Sequence, residues 1–196
     1  SHPEVNETKH FAWHTLRLDD DFQDVSARIH LMHKRNAMTA QKRGVQVKWG
    51  NTKADIDTYY QLHLQERQRQ GVPVQPKRFF NLIEKLLFQT GMGSILFAYK
   101  DDKVIAGLLL LYFGQTLTYK FGASDRASLV YRPNDLLFWT AIQWGCENHY
   151  RMFDMGRSDL DNQGLINFKQ GWGADELPLR YFNTSSKLQG TATEKL

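Results

Sequence analysis

The run Val104-Ile105-Ala106-Gly107-Leu108-Leu109-Leu110-Leu111-Tyr112-Phe113 is apolar at successive positions, without the alternation that leaves one strand face polar. A strand of this kind must be covered on both sides, and helices are what cover both faces of a sheet. The run is too short for a membrane-spanning helix, which needs roughly 20 apolar residues. On one side, Lys100-Asp101-Asp102-Lys103 forms a polar hairpin turn back to a strand at Ser94–Tyr99. On the other, Gly114-Gln115 turns the chain into a strand at Thr116–Gly122. Three hairpin-linked strands therefore sit at the centre of the chain.

Helical periods surround them. Phe11–Leu18 reads as a strand, and Asp19, Asp20 and Asp21 open one long helix whose apolar positions are Phe22, Val25, Ile29, Met32 and Ala40, ending at Gly44. After a short strand, Val45–Trp49, Thr52 or Asp55 caps a helix with the stripe Ile56, Tyr59, Tyr60, His63 and Leu64, closed by Gly71. A second helix, Arg78–Gln89, is expected to bury Phe79, Leu82, Ile83, Leu86 and Leu87. Beyond the central strands, Pro133 and Asn134 start a helix to about His149, with Asn134 suited to cap it. A strand at Met152–Gly156, a short helix at Gln163–Gln170 and a last strand at Leu177–Phe182 complete the order. Residues 45–184 thus read β-α-α-β-β-β-α-β-α-β, an α/β (α+β) chain with a mixed central sheet and helices on both faces.

Composition narrows the class. Of 196 residues, 41% are hydrophobic and 13% aromatic, which supplies a substantial core and excludes a disordered chain. The single cysteine, Cys146, rules out an intramolecular disulfide and a cysteine metal cluster, and reads as a buried helix residue. Lys and Arg exceed Asp and Glu by 25 to 21, a modest excess of +4. It clusters at Arg28, Lys34, Arg35, Lys42 and Arg43, either a solvated helix face or a docking surface for a polyanion. His30 and His33 have no third ligand at useful spacing and read as surface groups, so no metal is expected. Nothing reads as a signal peptide, and a cytoplasmic location is expected, with at most peripheral contact at the inner face of the membrane.

Four segments carry a resemblance. Gln65-Glu66-Arg67-Gln68-Arg69-Gln70-Gly71-Val72-Pro73, Arg132-Pro133-Asn134-Asp135-Leu136-Leu137, Phe153-Asp154-Met155-Gly156-Arg157-Ser158-Asp159 and Gly164-Leu165-Ile166-Asn167-Phe168-Lys169-Gln170-Gly171-Trp172-Gly173 occur in this order. Together with the element order they resemble the FemAB family of GNAT-like acyltransferases, in particular its cell-envelope and exopolysaccharide-associated subgroup. The resemblance implies a GNAT-like acyltransferase domain at 45–184. Residues 1–44 would then be the terminal strand and linking helix of a largely missing first GNAT-like domain, and 185–196 a flexible tail. It also implies transfer of an aminoacyl group from aminoacyl-tRNA to an amine of a peptidoglycan or exopolysaccharide precursor. No tightly bound cofactor and no covalent enzyme intermediate are expected.

The same resemblance assigns residues. Lys169 matches the lysine of a Phe-Lys pair implicated in transition-state stabilisation, and Phe168 would flank the reacting groups. The alternatives are an exposed helix lysine and a core phenylalanine. Arg67 best matches a phosphate-binding arginine, with Arg69 beside it, although arginines at a helix C-terminus also compensate the dipole. Asp154, Arg157 and Asp159 gather at the carboxyl end of a strand, where open α/β sheets place ligands. Asp154 or Asp159 would orient the amine or take its proton, and Arg157 would pair with a phosphate or carboxylate. The competing account for Asp154 is a structural bridge that fixes the turn. Tyr119 and Asn134 flank the groove.

Two features weigh on the donor. Acyl-CoA-dependent GNAT enzymes hold the pyrophosphate with a glycine-rich loop after the third hairpin strand. Here that stretch is Ala123-Ser124-Asp125-Arg126-Ala127-Ser128-Leu129-Val130-Tyr131-Arg132-Pro133, without a glycine. Acyl-CoA is therefore the second donor, with Arg126 and Arg132 able to bind phosphate through side chains. The helical arm that some FemAB members insert between the two helices of this domain is absent, since a short loop joins residues 70 and 78. A third reading is a non-catalytic envelope-assembly module that docks through its basic helix.

Overall fold

The computed structural model describes residues 5–19 and 21–184. Its elements are β1 (Val5–Arg17), α1 (Phe22–Arg28), α2 (Leu31–Lys42), β2 (Gln46–Gly50), α3 (Lys53–Gln70), α4 (Lys77–Ile83), β3 (Gly93–Lys100), β4 (Lys103–Phe113), β5 (Thr116–Ser124), α5 (Pro133–Glu147), β6 (Met152–Ser158), α6 (Gln163–Gly171) and β7 (Asp175–Thr184). From β2 onward the order is the one the sequence pattern predicts.

The sheet has seven strands in the order β2-β3-β4-β5-β6-β1-β7. All neighbours are antiparallel except β5 and β6, so the sheet is mixed. Successive leucines of β4 divide between two cores. Leu108 and Leu110 join Leu117, Leu137, Phe138, Phe153 and Trp172 on one face, while Leu109 joins Ile56, Tyr59, Phe80 and Phe97 on the other. This is the physical content of the unbroken apolar run: each face of the strand has its own helical cover.

Local signals set several boundaries. Thr52 and Asp55 form a reciprocal capping box at the start of α3, and Gly71 ends that helix in the left-handed region at φ 66°. Asn134 does not cap α5. Arg132 holds that place in a left-handed conformation, and Asn134 lies in the first turn with its side chain on Ser124. Four residues of α4 and its continuation also differ from expectation. The helix tightens into a π-helical segment at Glu84–Phe88, so the buried positions become Phe80, Ile83, Glu84 and Phe88. Leu82 and Leu86, expected inside, are exposed because the inserted residue rotates the stripe.

The long N-terminal helix is two helices. The chain breaks at Ile29 and His30, where the His30 N–H donates to the Gly171 carbonyl at 2.8 Å and its Nδ1 accepts the Met32 N–H. Tertiary bonds and a side-chain cap satisfy the backbone groups that a continuous helix would have used. The expected boundary at residue 44 also needs correction within the described residues. β1 lies between β6 and β7 in the same sheet, and Leu16, Leu18, Val25, Ile29 and Ala40 belong to the same core as α5. The expected tail, 185–196, lies outside the described residues.

Candidate active site

The one parallel contact is short. β5 and β6 pair only from Thr116 to Thr118 against Met152 to Asp154. Beyond that point β5 stays with β4 up to Ser124, and β6 follows β1 up to Ser158. The sheet therefore splits, and the strands open a wedge on the side of α5 and α6.

A cleft of about 260 Å³ occupies this region. β5 contributes Tyr119, Gly122 and Ser124 to its wall, α5 contributes Asn134 and Phe138, and α6 contributes Phe168. The last turns of α3 add Glu66, Arg69 and Gln70. Four residues expected from sequence thus meet: Arg69, Tyr119, Asn134 and Phe168. A bulge at Lys120 makes this possible, because Tyr119 and Phe121 pair with the adjacent residues Leu110 and Leu109. Tyr119 consequently packs with Phe138 at 4.9 Å on one face, and Phe121 joins the aromatic cluster around Phe80 on the other.

Each wall residue is held. The Tyr119 hydroxyl is pushed up to about 12 by burial, with the Glu66 charge adding and Arg67 opposing, so it is a proton donor at neutral pH. Gly122 makes room for it, since a Cβ there would lie 2.5 Å from the Tyr119 oxygen. The Asn134 amide N–H donates to Ser124 Oγ at 3.0 Å, tying the start of α5 to the end of β5. Phe168 packs edge-on against Phe138 at 5.2 Å and His33 at 5.5 Å.

Glu66 is a site residue that sequence reasoning missed. It is buried, and its Oε1 accepts hydrogen bonds from Arg69 and from Gln70, the latter at 2.6 Å. Its Oε2 is buried with no partner among the described residues. The signal was present, because Ile56, Tyr59, His63 and Glu66 follow one another at helical spacing on the buried face of α3. A carboxylate on that stripe needs a reason.

The remaining expected residues lie elsewhere. Lys169 is not an exposed helix lysine. It is 2% exposed, and its ammonium donates to the carbonyls of Gly156 and Arg157, each at 2.9 Å. Burial lowers its pKa to about 8, against the opposing pull of Asp154. Asp154 Oδ1 accepts from the Trp13 indole at 2.8 Å and from the Gly156 N–H at 2.8 Å, which is the structural bridge anticipated as its alternative role. Arg157 is exposed on the β1–β7 surface, stacked 4.2 Å from the Phe11 ring and donating to the Tyr181 hydroxyl. Asp159 is exposed beyond the end of β6. None of these four lines the cleft. Arg67 lies beside it, 5.9 Å from the Phe121 ring. His33, expected on the surface, is buried in an ion pair with Asp135. Of the basic cluster, Arg28 pairs with Asp19 and Arg43 donates to the Val130 carbonyl.

The model of the acetyltransferase (GNAT) domain matches residues 25–170. The chain belongs to this family. Among curated proteins, this GNAT chain is similar to the UDP-N-acetylmuramoylpentapeptide-lysine N(6)-alanyltransferase of Weissella viridescens, 22% identical over 147 residues. That alignment covers 74% of this chain and 43% of the relative, so the chain spans less than half of it. Among solved structures it resembles FemX, with a TM-score of 0.76 at 15% identity over 88% of this chain and 62% of that one. It also resembles L-PGS from Bacillus licheniformis, with a TM-score of 0.62 at 12% identity over 93% of this chain and 63% of that one. The GNAT-like fold expected from the motifs is therefore present, in a FemX-like form. No helix among the described residues is long and apolar enough to cross a membrane.

Proposed function

We propose that this domain transfers an aminoacyl group from an activated ester donor, aminoacyl-tRNA, to an amine of a cell-wall or exopolysaccharide precursor. The observation that carries the reading is the cleft where β5 and β6 part, walled by Arg69, Tyr119, Asn134 and Phe168. Family membership and the likeness to an alanyltransferase that acts on a lysine amine support it. Holding an amine against an activated carbonyl removes much of the entropic barrier. A buried hydroxyl such as that of Tyr119 can donate to an oxyanion without reorganisation, a term worth about 3–4 kcal/mol in well-formed sites. Arg69 and Arg67 supply positive charge for a phosphorylated acceptor. An upstream GNAT-like domain and a cytoplasmic location at the inner membrane face belong to the same proposal.

Acyl-CoA is the second donor, and Arg132 favours it by lining the recess beside Asn134 and Phe168. The test is a transfer assay with radiolabelled alanyl-tRNA and, separately, acetyl-CoA, using a UDP-linked lysine pentapeptide as acceptor. Label transfer from alanyl-tRNA alone supports the first donor, and transfer from acetyl-CoA alone replaces it with the second. Absence of transfer from both sinks the reading.

A further inference from the structure

We propose that His33, oriented by Asp135, is the general base that removes the proton from the attacking amine; this rests on the acyl-transfer reading above. The two residues stand on different helices, α2 and α5, and the fold brings His33 Nδ1 to 2.6 Å from Asp135 Oδ1. Both side chains are largely withdrawn from solvent, at 5% and 13% accessible. A carboxylate accepts on the Nδ1 side, so the neutral imidazole carries its proton there and its lone pair on Nε2. The ring has little freedom to turn. It stacks on Trp172 at 4.5 Å with an interplanar angle of 23°, and Phe168 meets it edge-on.

Nε2 is left available. It has no hydrogen-bond partner among the described residues, yet it is not one of the sealed polar atoms of the interior. His33 lines two recesses, of about 400 Å³ and about 320 Å³. Phe168 is common to both and to the cleft at β5. Gly171 keeps the imidazole edge open, because a Cβ at that position would lie 2.7 Å from Nε2. Its φ is ordinary, so the missing side chain serves space and not backbone conformation. Asp135 and Gly171 come from two of the segments with family resemblance, and neither has another assigned task.

A histidine fixed by a carboxylate with its second nitrogen facing a cleft is the arrangement that general-base chemistry needs. In the step proposed, the amine nitrogen attacks the acyl carbonyl and forms the new C–N bond. The donor's C–O or C–S bond breaks, and the proton leaving nitrogen passes to His33 Nε2. From there it goes to the departing oxygen or sulfur, giving an amide and a free hydroxyl or thiol. The charged and titratable groups around His33 are Asp135 on α5, Arg132 at the start of α5 and His30 ahead of α2. Lys169 of α6 points away, to β6.

The test combines kinetics with histidine NMR on the full chain. With the donor that supports transfer, H33Q and the near-isosteric D135N are expected to lower kcat by about 100-fold or more, with KM within about threefold. The acidic limb of the wild-type kcat/KM profile should vanish in H33Q, whereas a purely structural loss would scale the profile without reshaping it. Circular dichroism and melting confirm that both variants fold. Nitrogen shifts of labelled His33 should show the Nδ1–H tautomer. Retention of turnover and of the acidic limb in H33Q, in an active wild-type background, removes His33 from the mechanism while leaving acyl transfer intact. An Nε2–H tautomer overturns the assignment whatever the rates. A wild-type chain inert to both donors overturns the transfer reading, and the base falls with it.

Discussion

The ammonium of Lys169 donates to the carbonyl of Gly156 at 2.9 Å, reaching from α6 into the middle of β6. Gly156 sits in the left-handed region at φ 72°, beside the irregularity where β1 shifts register between His14 and Thr15. The lysine thus satisfies carbonyls at the point where the strand pairing is disturbed.

That burial has a pH signature. Lys169 is lowered from 10.5 to about 8 in the folded chain. Between those values the unfolded chain holds a proton that the folded chain has released, so stability rises with pH across the window. Relative to K169M, the wild-type protein should gain up to about 3 kcal/mol in unfolding free energy between pH 8 and 10.5. Urea denaturation of both proteins at several pH values measures it, and parallel pH profiles would contradict the burial of this charge.

Asp154 acts on the same segment from the other side. Its Oδ1 takes the Trp13 indole and the Gly156 N–H, joining β1 to β6 across the shifted register. D154A should destabilise the fold by about 2 kcal/mol, because hydrogen bonds to a charged acceptor are worth about 1.5–3 kcal/mol. D154N keeps an oxygen in place and should cost about half as much. W13F, which loses the indole bond alone, should lie near D154N. Equal losses in D154A and D154N would mean that the carboxylate charge, and not the acceptor geometry, is what counts.

Gly122 and Tyr119 should be coupled. A Cβ at residue 122 meets the Tyr119 hydroxyl at 2.5 Å, while the ring carbons are no nearer than 3.3 Å. G122A is therefore expected to displace the tyrosine and cost about 1–3 kcal/mol. Y119F removes the offending atom, so G122A/Y119F should be more stable than the sum of the single changes by about 1 kcal/mol. An additive double-mutant cycle would place the alanine elsewhere than against that oxygen.

Glu66 separates stability from activity. R69A leaves a buried carboxylate with Gln70 as its remaining partner in the printed network, and should destabilise the chain by about 1–3 kcal/mol. E66Q relieves that charge and should melt close to wild type, yet lose about tenfold or more in transfer if Oε2 serves the cleft. Full activity in E66Q would confine Glu66 to orienting Arg69.

Much of the architecture was legible along the chain because its causes are local. The apolar run of β4, the Thr52–Asp55 cap of α3 and Pro133 at the start of α5 announce themselves through side-chain period, capping and fixed φ. The places that misled are those where distant segments override a local pattern. The α1–α2 break depends on the Gly171 carbonyl, and the π-helical segment after α4 turns Leu82 and Leu86 outward although their spacing suits a buried face.

The candidate site divides along the same line. Motif spacing found Arg69, Tyr119, Asn134 and Phe168, which lie near the ends of elements whose positions the sequence sets. It could not show that Lys169 and Asp154 turn to the backbone of β6, nor that Glu66 joins the cleft, nor that His33 meets Asp135 across 102 residues of chain. The sequence by itself determined the order of the strands and helices and the two-sided burial of the central strand, because periodicity and capping are written in neighbouring residues. Tertiary structure alone decided which polar groups face the cleft, because a single bulge at Lys120 and the parting of β5 from β6 redirect side chains that sequence treats as equivalent.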